Sequence, residues 1–405
     1  MRAVANLHKS RKGSSVKIER IEVFVTELPV RVQRIFSSGS WDTGPQGRIL
    51  GKPVLVRIHA QGVVGYGQIR PITPGHFIGD TTQSVVAAIT EIYGPLMLGR
   101  SISALESIHE SFDLRLAGNP VARAVLDIAL HDALGKAHGV PVHELIGGCS
   151  QPRIPLEWSV SLAEEAATMV AEATRAVDEF GVKVLCLKAG DRRGWRQDVL
   201  NFEAVRRAVG DDVVIGADPN TAWSVSDAIN ALNALRSLDL GYLEQPVARH
   251  DLKGLAAVRR AANGVPLMAD ESLFTVQDAY ALAQAEAVDA LCIKLYKVGG
   301  LTPARKIAAV AEASNLLLNC GGLAVQSQLE AAAAAHFYAA TPARRMMGAG
   351  EFLFGLNTTA PDPLVAATDF VVRDGHVDVP RGPGLGITLD ETALKRFTLR
   401  HETIS

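Results

Sequence analysis

The sequence predicts an α/β protein: a (β/α)7-8 barrel of the TIM type, preceded by an α+β capping domain that the C-terminal segment completes. Three observations predict it. After about Pro152, short apolar runs alternate with amphipathic helical stretches seven times, with a weaker eighth run near 346–352, the rhythm of parallel strands wrapped by helices. Before it, short alternating runs and three helical patterns read as a separate α+β unit. Ionisable residues also recur at the ends of the apolar runs, the rim where barrel enzymes carry their chemistry.

The 405 residues are enough for one small domain and one barrel-sized one, at about 150 residues per domain. With 48% hydrophobic and 21% charged residues the composition is that of an ordinary globular protein. A net charge of −2 supplies no basic field, so neither nucleic acid nor an anionic membrane surface is an expected partner. Cys149, Cys186, Cys292 and Cys320 stand singly with no C-x-x-C pair, which points to a reducing cytoplasm. No run approaches the roughly 18 apolar residues of a membrane span. Residues 1–15 are basic without the apolar core of a secretory signal and read as a disordered tail.

From 16 to 150 the capping domain is expected. VKIERIEVFVTEL and VLVRIHAQGVVGYGQI read as strands, with Gln61-Gly62 as a tight turn. SSGSWDTGPQGRILGK (37–52) is Gly/Ser/Pro-rich and reads as a mobile loop. TTQSVVAAITEIYGPLM, SALESIHESFDLRL and NPVARAVLDIALHDALGKAHGV read as helices, the last one buried and ending at Gly139. The barrel is expected over 151–355, with strands at 154–161, 182–189, 213–218, 241–246, 266–270, 290–294 and 316–320. The segment 356–405 returns to short β-like runs and is expected to pack back on the first domain. A doubly wound open sheet is the competing architecture, and no G-x-G-x-x-G follows the first strand to support it.

An ionisable residue inside a strand buried on both faces costs several kcal/mol unless it is paired or metal-bound. Lys188, Asp218, Glu244, Asp270 and Lys294 end five successive strand candidates, from the second to the sixth. The three acids, each 26 residues from the next, would converge as hard oxygen ligands for Mg²⁺, with Asn220, Gln245 and Glu271 supporting them. Alternatively each acid caps a helix. Lys188 and Lys294, on the second and sixth strands, would face each other across the axis. A cation and burial beside them would disfavour the ammonium form, so each could take or return a proton.

In these residues the chain resembles the enolase superfamily, and within it the muconate lactonizing enzyme subgroup. The resemblance runs through VLVRIHAQGVVGYGQ, ARAVLDIALHDALGKAHGVPVHELIGG, LCLKAG, GADPNTAW, YLEQP, ADES and IKLYKVGGL, nearly the whole chain. It implies Asp218, Glu244 and Asp270 as ligands of Mg²⁺ or Mn²⁺, and Lys188 and Lys294 as an acid/base pair on opposite faces of a small carboxylate substrate. It also implies a homo-oligomer. The mandelate racemase subgroup instead uses a histidine after the seventh strand, where this chain has Asn319-Cys320-Gly321-Gly322. The reaction implied is abstraction of an α-proton through an enediolate, giving cycloisomerisation, racemisation or epimerisation. A hydroxy-acid dehydratase and a catalytically silent carboxylate-binding protein are the alternatives.

Three departures from the family pattern stand out. The usual Lys-x-Lys of the second strand is Cys186-Leu187-Lys188, which removes a positive charge beside Lys188. The glutamate expected on the eighth-strand side aligns with Gln326, and the usual Gly-x-Gly-Glu of the capping hairpin is Gly65-Tyr66-Gly67-Gln68. Together they suggest a different substrate polarity. Trp41 falls in the loop that closes over substrate in the family. Trp158, on the first strand, is a candidate for the pocket wall, with core packing as the alternative reading. His131, His138 and His336 read as packed or solvated histidines.

Overall fold

The computed structural model describes residues 16–29, 33–42, 51–71, 77–322, 327–352, 354, 356, 358, 361–366, 368 and 370–405. In the capping domain, β1 (Ile18–Thr26), β4 (Val54–Ala60) and β5 (Val63–Ile69) form an antiparallel meander, joined on the far side of β1 by β16 (Thr398–Ile404). The C-terminal segment therefore completes this sheet, with Ile21 opposite Ile404. Gln61 and Gly62 both take positive φ (41° and 87°), the backbone a two-residue hairpin requires. The Gly/Ser-rich stretch differs from its reading as loop at its start: β3 (Gly39–Asp42) lies within it and forms a hairpin with β2 (Gln33–Phe36), which precedes it. Residues 43–50 of that stretch, and the tail at 1–15, lie outside the described residues.

The helix Pro120–His138 connects cap to barrel. Proline at its first turn and Gly139 in the left-handed region (φ 70°) fix its ends. Thirteen of its 19 residues are buried, because β5 packs on one side and the barrel on the other. The hairpin approaches it closely enough that Cβ atoms at Gly65 and Gly67 would lie 2.1 Å and 2.2 Å from the carbonyl oxygens of Ala129 and Val125. Asp127 of this helix caps another, Leu301–Ala313 in the barrel: its carboxylate accepts from Leu301 N (2.6 Å), Thr302 N (3.2 Å), Thr302 Oγ1 (2.6 Å) and His109 Nε2 (2.8 Å). Burial would lift this carboxyl, yet His131 and His109 hold it well below the usual range.

The barrel is a parallel sheet of eight strands in sequence order. These are β7 (Glu157–Val160), β8 (Val184–Lys188), β9 (Val214–Asp218), β10 (Leu240–Glu244), β11 (Leu267–Ala269), β12 (Ala290–Ile293), β13 (Leu317–Cys320) and β14 (Met346–Gly350). A parallel bridge between Leu156 and Gly350 brings the last strand to the first. Beneath β7, β6 (Arg153–Pro155) pairs antiparallel with β15 (His376–Asp378). Side chains pointing to the axis form a small cluster of their own, among them Cys186, Tyr242, Met268 and Cys292. Gly216 makes room for it, since a Cβ there would sit 2.1 Å from the Tyr242 ring.

Candidate active site

The chemistry-bearing residues lie where strands give way to loops. Lys188, Asp218 and Glu244 end β8, β9 and β10, while Asp270 and Lys294 follow β11 and β12 by one residue. All five are buried. The turn carrying Asp270 is fixed by Gln245, whose Oε1 accepts from Asp270 N (3.0 Å) and Ser272 N (3.1 Å) and whose Nε2 donates to Ser272 Oγ (2.8 Å). Asn220, at φ 45°, donates through its backbone and its side chain to the Asp218 carboxylate, both at 2.8 Å, and reaches Glu271 Oε1 at 3.2 Å.

Each lysine is tied to one acid. Lys188 Nζ donates to Asp218 Oδ2 at 2.5 Å, and Lys294 Nζ to Asp270 Oδ2 at 2.7 Å. Lys294 Nζ is also 4.0 Å from Glu244 Oε1. Burial alone would pull Lys188 down, but Asp218 at contact holds its ammonium well above the usual range. Asp270 does the same for Lys294. A third ammonium, Lys297, has no exposure at all and donates to Asp270 Oδ1 and to its backbone carbonyl, each at 2.5 Å. Burial would raise Asp270, but Lys294 and Lys297 hold it well below the carboxylate range.

Glu244 sits differently. Its Oε1 is buried and accepts no hydrogen bond, and its Oε2 has only the Cys186 thiol at 3.8 Å. Burial and the neighbouring Asp218 charge push its carboxyl well up. Burial and the Asp270 charge push Glu271 up to about 8, and its Oε2 is likewise unpartnered. Burial and the adjacent Glu351 push Glu157 up to about 8 as well. Six buried acids (Glu157, Asp218, Glu244, Asp270, Glu271 and Glu351) thus face three buried lysines. Ligand atoms of Glu244 lie within 4.8 Å of those of Cys186 and Asp218 on one side and of Asp270 and Cys292 on the other. A surplus of hard oxygen donors with unpartnered lone pairs fits a divalent cation such as Mg²⁺.

Lys188 and Lys294 line one pocket with Asp270, Asn220, Ser159 and Glu351. The capping hairpin supplies its outer wall: Phe36 and Trp41 pack ring to ring at 4.4 Å, and the Lys188 ammonium lies 5.7 Å from the Phe36 ring. The hairpin is held on the barrel by Arg34, which bonds Glu172 and the Ser159 carbonyl oxygen. Trp41 is therefore at the pocket, as its place in the loop suggested. Trp158 is not: it faces the helix layer, its Nε1 donates to Glu172 (2.9 Å), and it packs on Phe180 and Phe354. Strand alternation gives the inward positions to Glu157 and Ser159 instead. Cys186 lies below the pocket at the axis, and Gln326 falls outside the described residues. Gln68 accepts from Ser327 Oγ at 3.1 Å, away from the lysines.

Sequence reading missed Lys297, Glu157 and Ser159. Lys297 could have been found from its place three residues after Lys294, one turn onward along IKLYKVGG. Glu157 could have been found as an acid within an apolar strand.

A capped barrel with buried acids and lysines on its C-terminal rim defines a class of enzyme, and comparison with known proteins places the chain within it. Residues 168–393 match the family described as enolase C-terminal domain-like, and residues 47–147 match the mandelate racemase / muconate lactonizing enzyme N-terminal domain. The chain belongs to that family, in the enolase superfamily and its muconate lactonizing enzyme subgroup. It is 30% identical to the N-succinyl-L-Arg/Lys racemase of Bacillus cereus over 96% of this chain and 100% of that one. It is 31% identical to muconate cycloisomerase 1-1 of Acinetobacter lwoffii, covering 95% and 97% of the two chains. To a hydrophobic dipeptide epimerase of Enterococcus faecalis it is 31% identical, covering 80% and 88%. The crystal structure of the Bacillus cereus racemase superposes with a TM-score of 0.86 at 27% identity, over 96% of this chain and 100% of that one. The protein is an enzyme, and the general reaction of its relatives is isomerisation: racemisation, epimerisation or cycloisomerisation. Among the described residues no helix is long and apolar enough to cross a membrane.

Proposed function

We propose that Asp218, Glu244 and Asp270 hold Mg²⁺, with Mn²⁺ as a substitute, and that Lys188 and Lys294 move the α-proton of a small carboxylate substrate between them. The observation that carries this reading is the placement of the two ammonium groups, on strands four apart in an eight-stranded barrel, in one pocket with the acids between them. Bound there, the cation would neutralise the charge that develops on the substrate carboxylate as the α-carbon loses its proton. The remaining steps belong to the chain. Whichever lysine is a neutral amine takes the α-proton at Nζ, and the opposite lysine, as ammonium, delivers one from the other face. Asn220 and Gln245 keep Asp218 and Asp270 in place meanwhile. Phe36 and Trp41 cover the pocket and keep water from the carbanionic carbon. The aromatic wall suits a substrate with an apolar body. Four free thiols suit a cytoplasmic setting.

The test is exchange of the α-proton in D₂O, followed by NMR on a panel of N-acyl amino acids, dipeptides and unsaturated diacids with Mg²⁺ present. Net isomerisation should stop in Lys188→Ala and in Lys294→Ala, while one variant still exchanges the proton of a single enantiomer. Wild-type turnover in either variant would remove that lysine from the reaction.

A further inference from the structure

Among the described residues β16 is an edge strand of the capping sheet, paired with β1 on one side only. Two backbone bonds fix which way its groups point. Thr26 N donates to Pro53 O at 3.0 Å, on the β4 side, and Glu27 N donates to Phe397 O at 2.9 Å, on the β16 side. Alternation along β1 then turns the N–H and C=O of Val25, Val23 and Ile21 toward β16, and those of their partners Arg400, Glu402 and Ile404 toward β1. The N–H and C=O of His401 and Thr403 therefore point away from the sheet, and such a row is a template for another strand. The strand is held in place: the His401 ring stacks on Phe24 at 4.4 Å and its Nε2 lies 3.1 Å from Glu22 Oε1. Arg400 and Glu402 bond each other at 2.9 Å yet leave 54% and 40% of their side chains exposed. Leu399, the extra residue where Val25 pairs with Arg400 and Thr26 with Thr398, is 58% exposed.

We propose that β16 is an interface with a second copy of this chain, the two edges pairing antiparallel about a two-fold axis at His401. The charge pattern names the occupant, because the strand is complementary to itself. With His401 opposite the partner's His401 in a hydrogen-bonded pair, the outward backbone groups of both strands meet. Arg400 then stands opposite the partner's Glu402, and Glu402 opposite the partner's Arg400, in the non-hydrogen-bonded pairs where side chains come closest. Each arginine keeps the glutamate of its own strand and gains the partner's, so charges alternate in sign around the axis. Leu399 falls opposite the partner's Thr403 and loses solvent. The register is specified as well: a slip of two residues in either direction sets Arg400 or Glu402 against its own copy, and like charges directly opposite are unfavourable. Two four-stranded capping sheets become one continuous sheet across the dimer.

Sedimentation velocity on the full chain, over a series of protein concentrations, tests the proposal. Wild type should associate as concentration rises. Arg400→Glu leaves the edge with two acids and Glu402→Arg leaves it with two arginines, so each variant alone should raise the dissociation constant of this step by about tenfold or more. Mixed in equal amounts, the two variants should associate with each other as wild type does, since every acid again faces an arginine. A chain carrying both substitutions should also associate like wild type. Recovery on mixing is a result that a folding defect in either variant cannot produce. A wild-type chain that is monomeric throughout the series overturns the proposal and makes the two charges a guard against edge pairing. Association that both single variants retain at wild-type strength overturns it and puts the contact on another face, and variants that fail to recover when mixed overturn the register.

Discussion

Removing the ammonium of Lys188 should abolish turnover and at the same time tighten Mg²⁺ binding. Lys188 Nζ touches Asp218 Oδ2 at 2.5 Å, with side-chain exposures of 3% and 0%. Lys188 is thus the counter-charge of a carboxylate that the cation would use. A cation arriving at Asp218 has to displace that ammonium or bear its repulsion. A charge-assisted hydrogen bond contributes about 1.5–3 kcal/mol. At about 1.4 kcal/mol per factor of ten, its removal should tighten Mg²⁺ by roughly 10- to 150-fold. Lys188→Met is the preferred substitution, since it keeps the aliphatic volume of the side chain and avoids opening a cavity. Calorimetric titration with Mg²⁺ at fixed pH, paired with a turnover assay, reads both effects. A variant that binds Mg²⁺ no better than wild type would show that Lys188 does not compete for Asp218. A variant that retains turnover would show that the lysine is not part of the reaction.

Three further outcomes follow from the same structure. Asp127→Ala strips four hydrogen bonds from a buried carboxylate that joins the cap to a barrel helix, and should cost about 3–5 kcal/mol, read as a lower thermal midpoint; an unchanged midpoint would refute the latch. Gly67→Ala should fail to fold or melt far earlier, because its Cβ would lie 2.2 Å from the Val125 carbonyl oxygen, whereas Gly62→Asn, in open space at φ 87°, should be tolerated. Burial, and then the neighbouring His143, lower His336 from 6.5 to about 3, so the neutral ring contributes stability above about pH 6.5 that is lost as pH falls toward 3. By pH 5 the loss should reach about 2 kcal/mol, and His336→Asn should flatten the decline in thermal midpoint between pH 7 and 5; an equally steep decline would refute it.

The barrel was legible because its strands are buried on both faces and so read as apolar runs, each ended by a polar residue that nothing in a core would explain. The Gln61-Gly62 turn and the Gly139 helix stop were legible because positive φ restricts the residues that can stand there. Other features were not. The hairpin β2–β3 has short, partly exposed strands, and its Ser and Gly content outweighs the alternation of so few residues. The facing of Trp158 depends on the phase of strand alternation, and the acid beside it, Glu157, takes the inward position that a size-based reading gives to tryptophan. The pairing of Lys188 with Asp218 and of Lys294 with Asp270 depends on contact distances, which strand-end spacing does not contain. The helix around 81–97 is interrupted by a π segment at Ala88–Tyr93; Gly94-Pro95, which follows it, signals a break because Pro95 has no N–H for the preceding turn, but does not specify that the break takes π geometry.

The departure at Cys186 makes sense as one member of a packed set rather than as an isolated loss of charge. The ring of Tyr242 occupies the barrel axis and already requires that Gly216 carry no Cβ, with the built atom only 2.1 Å from Tyr242 Cζ. Cys186 belongs to the same buried cluster as that ring, together with Met268 and Cys292. A lysine at 186 would have to thread its four-carbon stem past the tyrosine and bring an ammonium to a place with no solvent, beside Glu244 and an Asp218 already paired with Lys188. A thiol needs neither the volume nor the partner. The consequence is electrostatic: on the β8 side the pocket retains one ammonium, already in contact with Asp218, while Lys294 and Lys297 both act on Asp270. Positive charge is therefore concentrated on the β11–β12 side of the rim. A substrate with a single carboxylate would be neutralised by the cation proposed for the acids. A second carboxylate directed toward β8 would find Lys188 as the one ammonium at that wall of the pocket, already committed to Asp218, and we therefore propose that the site favours monocarboxylates over diacids.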